Sequence, residues 1–143
     1  MTNSMIGTAA FLAFLLAAAL GRADEAIDHA ELDHVYVRIT DTGVHPATAR
    51  MEAGQAIGFL NSSSRVARVS FDASVAAKIK CRTRTGFQLE GARLASGRIQ
   101  GTQFASLCSI ASGSYEYRVD LQPGAGTGGE LVERSFPGKL EVK

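Results

Sequence analysis

Apolar and polar residues alternate with a period of two in several short runs of this chain, and no run sustains the 3.6-residue period of an amphipathic helix. In His34-Val-Tyr-Val-Arg-Ile39, Val35, Val37 and Ile39 alternate with Tyr36 and Arg38, which predicts a strand with one face in a core. Asp41-Thr-Gly-Val-His-Pro46 reads as a turn, because Gly43 tolerates positive φ and Pro46 fixes its own φ. Ala47 to Met51 follows as a short strand and Glu52 to Gln55 as a turn. Ala56 to Leu60 is a further strand, ended by the polar run Asn61-Ser-Ser-Ser64. Val66, Arg68 and Ser70 then alternate with Ala67, Val69 and Phe71 in a fourth strand.

The middle of the chain is less regular. Ala73 to Lys80 suits a short helix, whereas Lys78-Ile-Lys-Cys-Arg-Thr-Arg84 repeats a basic residue at every second position and suits a strand with one charged, solvated face. Such a face either shields a sheet edge from unwanted pairing or meets an acidic partner. Gly86 to Gly101 reads as an irregular excursion carrying Phe87, Leu89, Leu94 and Ile99, and Phe104 to Ile110 resumes as a strand. After the turn at Gly113, Tyr115 and Tyr117 alternate with Glu116 and Arg118 up to Val119. A glycine-rich loop, Asp120 to Glu133, then leads to Phe136-Pro-Gly-Lys-Leu-Glu-Val-Lys143, where Leu140 and Val142 alternate with charge. Short strands separated by glycine-rich turns predict an all-β sandwich or barrel, with a short helix or irregular excursion around residues 73–101.

The first residues follow a different pattern. Ile6 to Leu20 is a nearly uninterrupted apolar run, and Gly21-Arg22-Ala23 places small residues at the −3 and −1 positions of a cleavage site. The run is shorter than the roughly 18 to 20 residues that span a bilayer, so it reads as a signal peptide rather than an anchor. The expected organisation is a signal peptide over residues 1–23, a flexible acidic segment over 24–33 and one domain over 34–143. Removal of residues 1–23 predicts a periplasmic or secreted protein; retention would tether it to a membrane.

All 14 acidic residues lie after Ala23 and Arg22 leaves with the signal, so the remaining chain has a formal charge of about zero, which argues against a nucleic-acid binder. The distribution is uneven. Asp24, Glu25, Asp28, Glu31 and Asp33 crowd the acidic segment, while Arg65, Arg68, Lys78, Lys80, Arg82 and Arg84 make the middle basic. Those six cations are the candidate surface for a protein partner or an anionic envelope surface.

Cys81 and Cys108 are the only cysteines, and export would expose them to an oxidising compartment. A single disulfide is the natural reading, contributing about 3 kcal/mol by restricting the unfolded chain; two separate buried thiols are the alternative. The histidines are His29, His34 and His45, of which the first two sit among Asp28, Glu31 and Asp33 and form a weak candidate for copper or zinc. Pro123 to Gly129 lacks the lysine and the following helix of a phosphate-binding loop, and no Ser-His-Asp arrangement is recognisable, so no enzyme activity is expected.

The order of Met51-Glu-Ala-Gly-Gln-Ala-Ile-Gly-Phe-Leu-Asn61, the polar loop into Val69-Ser-Phe71, Ser112-Gly-Ser-Tyr-Glu-Tyr117 and Pro137-Gly-Lys-Leu-Glu-Val142 resembles the cupredoxins, especially the plastocyanin-like and azurin-like ones. The resemblance covers the chain from about Val35 to Lys143 and implies a Greek-key β-sandwich. It also implies a mononuclear copper site made of a histidine after the asparagine-led loop, then cysteine, histidine and usually methionine around the last loop. Thiolate and imidazole ligands with a weak axial thioether suit both oxidation states of copper. In this chain Ala67 falls at the first histidine position, Val119 at the cysteine and Gln122 near the second histidine, and no methionine follows Met51. The expectation is therefore an exported cupredoxin-like domain without a type 1 copper site or other cofactor, serving as a binding or accessory module in the cell envelope. The alternative is a periplasmic copper-binding or electron-transfer protein that uses His29, His34 and His45.

Overall fold

The computed structural model describes residues 33–81, 86–124 and 131–143. The strands are β1 (His34–Thr40), β2 (Gly43–His45), β3 (Thr48–Met51), β4 (Ala56–Asn61) and β5 (Val66–Asp72). After a 3₁₀ helix (Ala73–Lys78) come β6 (Phe87–Glu90), β7 (Arg93–Ser96), β8 (Phe104–Leu107), β9 (Gly113–Gln122) and β10 (Arg134–Val142). They form a four-stranded sheet in the order β2-β1-β4-β8 and a six-stranded sheet in the order β3-β10-β9-β5-β7-β6. β1 runs parallel to β4 and β3 parallel to β10, while the other pairs are antiparallel. The chain passes from one sheet to the other between β2 and β3, through a cis peptide at His45–Pro46.

The alternation read from the sequence is what builds the core. Val37, Ile39, Ile57 and Phe59 of the small sheet face Val69, Phe71, Tyr117, Val119, Leu121 and Leu140 of the large one. Phe59 is the link between the layers: its ring centroid lies 5.1 Å from Tyr117, 6.0 Å from Phe71 and 6.1 Å from Phe87. The tilted and edge-on angles of these contacts are those that aromatic quadrupoles favour. The result is an all-β Greek-key sandwich with almost no helix.

Four local expectations are revised. Within the turn expected over Asp41 to Pro46, Gly43–His45 adds as β2, because Val44 is buried and pairs opposite Ile39. The excursion at 86–101 contains a hairpin of β6 and β7 turning at Gly91, whose φ of 56° suits glycine. The strand expected from Lys78 is absent among the described residues 78–81. Asp72 caps the 3₁₀ helix by accepting from the Ser74 N–H at 2.9 Å, Lys78 ends that helix, and Ile79 makes only one bridge, to Ile110. Ser74's hydroxyl and then its backbone N–H hold the Asp72 carboxyl below its ordinary range. Cys81 is joined to Cys108, at a sequence separation of 27, which ties this segment to the end of β8. Last, β9 does not stop at Val119 but continues as a regular strand through Gln122. Leu121 is fully buried there, and the glycine-rich composition begins only after Pro123.

Candidate functional site

The polar run after β4 is organised by Asn61. Its side chain is fully buried, yet each polar atom is satisfied: Nδ2 donates to the carbonyls of Arg65 and Ile99 at 2.7 Å each, and Oδ1 accepts from the Ser63 N–H at 2.9 Å and hydroxyl at 2.7 Å. This loop delivers the chain into β5 with Ala67 on the inward side. Ala67 exchanges both backbone hydrogen bonds with Ile99, at 2.9 and 2.8 Å, and its side chain is fully buried.

Val119 is likewise inward and fully buried, paired with Val69 on one side and Phe136 on the other. Gln122 lies three residues further along the same unbroken ladder, where it pairs with Val66. An odd step along a strand reverses the face, so Gln122 belongs to the opposite side of the sheet from Ala67 and Val119. It lines a polar recess of about 300 Å³ with Arg68, Ser70, Asp120 and Val132, and its Oε1 is buried without a hydrogen-bond partner. Two hydrocarbon side chains and an amide on opposite faces supply neither imidazole nor thiolate. These residues do not fit a type 1 copper ion. No thiolate is on offer from elsewhere, since both cysteines are in the disulfide.

Of the three candidate histidines, His29 lies outside the described residues. His34 and His45 share the outer face of the small sheet. His45 pairs opposite Arg38, four residues along β1 from His34, a separation of about 13 Å along the strand direction at the usual rise. Among the described residues, no three of His, Cys, Asp and Glu gather as a metal-binding group.

Of the six basic residues, the four that are described, Arg65, Arg68, Lys78 and Lys80, do not form one patch. Arg65 precedes β5 and forms an ion pair with Glu133; Arg68 pairs with Glu90 and donates from Nε to the Ser96 carbonyl at 3.1 Å. Lys78 and Lys80 follow the far end of β5, so the seven-residue strand, about 20 Å long, separates them from Arg65. Arg82 and Arg84 lie outside the described residues.

What the sequence reading passed over is the outer face of the small sheet. Tyr36 pairs opposite Gly58, and its ring lies flat over that glycine: a Cβ at residue 58 would sit 2.7 Å from the ring. Tyr36 nevertheless remains 54% exposed, as Phe104 is at 59%. His34 stacks beside Tyr36, with centroids 5.8 Å apart and an interplanar angle of 19°, and its Nε2 lies 3.2 Å from the Ser106 hydroxyl. The available signal was Gly58 itself, a glycine inside an otherwise apolar strand, which often marks the close approach of another group. Elsewhere a groove of about 720 Å³ crosses the outer face of the six-stranded sheet and mixes Asp72 and Glu116 with Arg93, Arg118 and Lys139.

No protein-family model and no curated protein matches the chain. Solved structures match in fold. A proline-to-glycine variant of amicyanin in its reduced Cu(I) form is 18% identical, covers 85% of this chain and 95% of its own, and superposes with a TM-score of 0.52. Amicyanin from Paracoccus versutus is 15% identical over 85% of this chain and 94% of its own, with a TM-score of 0.52. A second, oxidised proline-to-glycine variant is 21% identical over 88% and 90%, with a TM-score of 0.51. At such identities the likeness is one of architecture.

Proposed function

From the premise of a cupredoxin-like fold, we propose that this chain is an exported accessory domain that binds a partner and carries no type 1 copper. One observation supports this reading above the others: Ala67, Val119 and Gln122, at the positions where the resemblance puts ligands, are ordinary members of a continuous sheet. Electron transfer through copper needs a preformed donor set with little reorganisation, and hydrocarbon side chains supply none. Copper is therefore a property of the amicyanins and is not carried over. The apolar run Ile6 to Leu20 followed by Gly21-Arg22-Ala23 supports export, with the mature protein beginning at Asp24. Among the described residues, no helix is long and apolar enough to cross a membrane.

The test is metal analysis and copper titration of protein purified from the cell envelope, together with sequencing of its amino terminus. The expected result is substoichiometric copper, no thiolate-to-copper absorption band on titration, and a first residue of Asp24. A stoichiometric copper centre with that band would sink the proposal.

A further inference from the structure

We propose that the outer face of the four-stranded sheet is a docking surface for a short, extended polypeptide in which acidic residues alternate with apolar ones. The inference rests on the reading above, that the domain acts by binding. It concerns a side of the sandwich remote from Ala67 and Val119.

The face is built in rows across the strands. One row is His45, Arg38, Leu60 and Phe104; the next is Tyr36, Gly58 and Ser106; the third begins with His34 and Ala56. Two exposed aromatics on a solvent-facing sheet are costly unless something covers them, and tyrosine, phenylalanine and arginine are the residues enriched where partners bury. The outward positions of β1, β2, β4 and β8 carry one permanent cation, Arg38, two histidines and not one carboxylate. In a chain of nearly balanced charge, that sign bias selects a partner with acidic groups.

The dimensions favour a peptide segment. Four strands about 4.8 Å apart and three rows about 6.6 Å apart make a platform roughly 14 Å on a side, well short of a standard protein interface. Successive same-side residues of an extended chain are also about 6.6 Å apart, so its side chains match the rows. Tyr36, held flat by Gly58, and Phe104 offer ring surface to apolar residues, and Arg38, next to Tyr36 on the same face of β1 and one strand removed from Phe104 across Leu60, is placed for a carboxylate. A saccharide would need acceptors for its hydroxyl protons, and the face holds no carboxylate or side-chain amide. An anionic bilayer is recruited by clusters of about four to eight lysines and arginines, and the face has one.

The test uses the mature full-length protein and a synthetic peptide alternating glutamate with leucine and phenylalanine, followed by amide NMR and calorimetry. The expected result is binding that shifts β1, β4 and β8 amides, weakens with salt, and falls about tenfold or more in Arg38→Glu and in Tyr36→Ala. Both positions are exposed, so unchanged thermal unfolding shows that the fold is retained. Gly58→Val, which must lift the Tyr36 ring, is expected to weaken binding in parallel. Equal binding of a lysine-for-glutamate peptide, indifference to the substitutions, or no binding overturns the proposal. So does preference for anionic vesicles or a neutral oligosaccharide, or self-association of the protein through this face. None of these outcomes produces a copper centre, so they leave the absence of type 1 copper to be judged separately.

Discussion

Tyr117 and Gly138 stand directly opposite each other across β9 and β10, and the tyrosine ring occupies the space that a side chain at residue 138 would need. A Cβ there would lie well inside contact distance of the ring, which is itself packed edge-on against Phe59. Gly138→Ala is therefore expected to lower stability by about 3 kcal/mol, since overpacking at the centre of an aromatic cluster has no flexible neighbour to relax it. Denaturant unfolding measures this, and Gly138→Ala combined with Tyr117→Leu should recover part of the loss. Full additivity of the two changes would show that they do not share the space.

The Tyr117 hydroxyl is buried without a partner, and burial pushes its pKa up to about 12. Because the folded pKa lies above the unfolded value near 10, the folded state holds this proton more tightly. Stability is then fully present below about pH 10 and falls by roughly 2–3 kcal/mol as pH rises towards 12. Tyr117→Phe is expected to be neutral or slightly stabilising at pH 7, within about 1 kcal/mol, and to flatten the alkaline decline. An unaltered slope in that variant would refute the assignment.

Asn61 satisfies two carbonyls and two donors from one buried amide. Removing it strands all of them, so Asn61→Ala is expected to cost about 3–5 kcal/mol. Asn61→Asp should be as harmful, because a carboxylate turned towards the Arg65 and Ile99 carbonyls offers no proton to either. Thermal unfolding of the two variants provides the comparison.

Grafting the missing donors as Ala67→His, Val119→Cys and Gln122→His is expected not to create a blue copper protein. The last position lies on the other side of the sheet from the first two, and β9 would have to break its ladder at Asp120 to bring it round. Absorption spectroscopy of the copper-loaded triple variant decides the matter, and an intense thiolate-to-copper band would contradict the prediction.

Reduction under denaturing conditions should add two hydrogens to the protein mass, and the reduced protein should be about 3–4 kcal/mol less stable, the chain-entropy value for a separation of 27 residues. Equal stability of the reduced form would mean that the two ends of this segment are already held together in the unfolded chain.

The strands were legible where alternation is strong. Val35 to Ile39 and Leu140 to Val142 reveal their faces directly, whereas Ala56 to Leu60 reads as a strand without showing which face is inward. The hairpin of β6 and β7 was hidden because Leu89 is exposed while Ala95 and Ser96 are buried, which blurs the pattern. Lys78 to Arg84 misled in the opposite sense: its alternating charge is real, but a capped helix and a disulfide set the backbone of the described residues 78–81. That Ala67, Val119 and Gln122 offer neither imidazole nor thiolate is visible from residue types alone. That Gln122 faces away from Val119 is not, because it depends on how far β9 extends. The aromatic face was overlooked for a related reason: Tyr36 alternates with valines as a solvent-side residue should, and only its pairing with Gly58 shows the ring lying flat.

The extension of β9 has one more consequence. Its ladder with β10 begins at Leu121 and Arg134, so the two strands are held together by paired backbone right up to the residues where they leave the sheet. Loop-closure entropy grows only with the logarithm of length, by about 0.6 kcal/mol for each doubling. That end of the sandwich is thereby suited to carry inserted sequence, as a display position whose length is free to vary without changing what the two sheets hold.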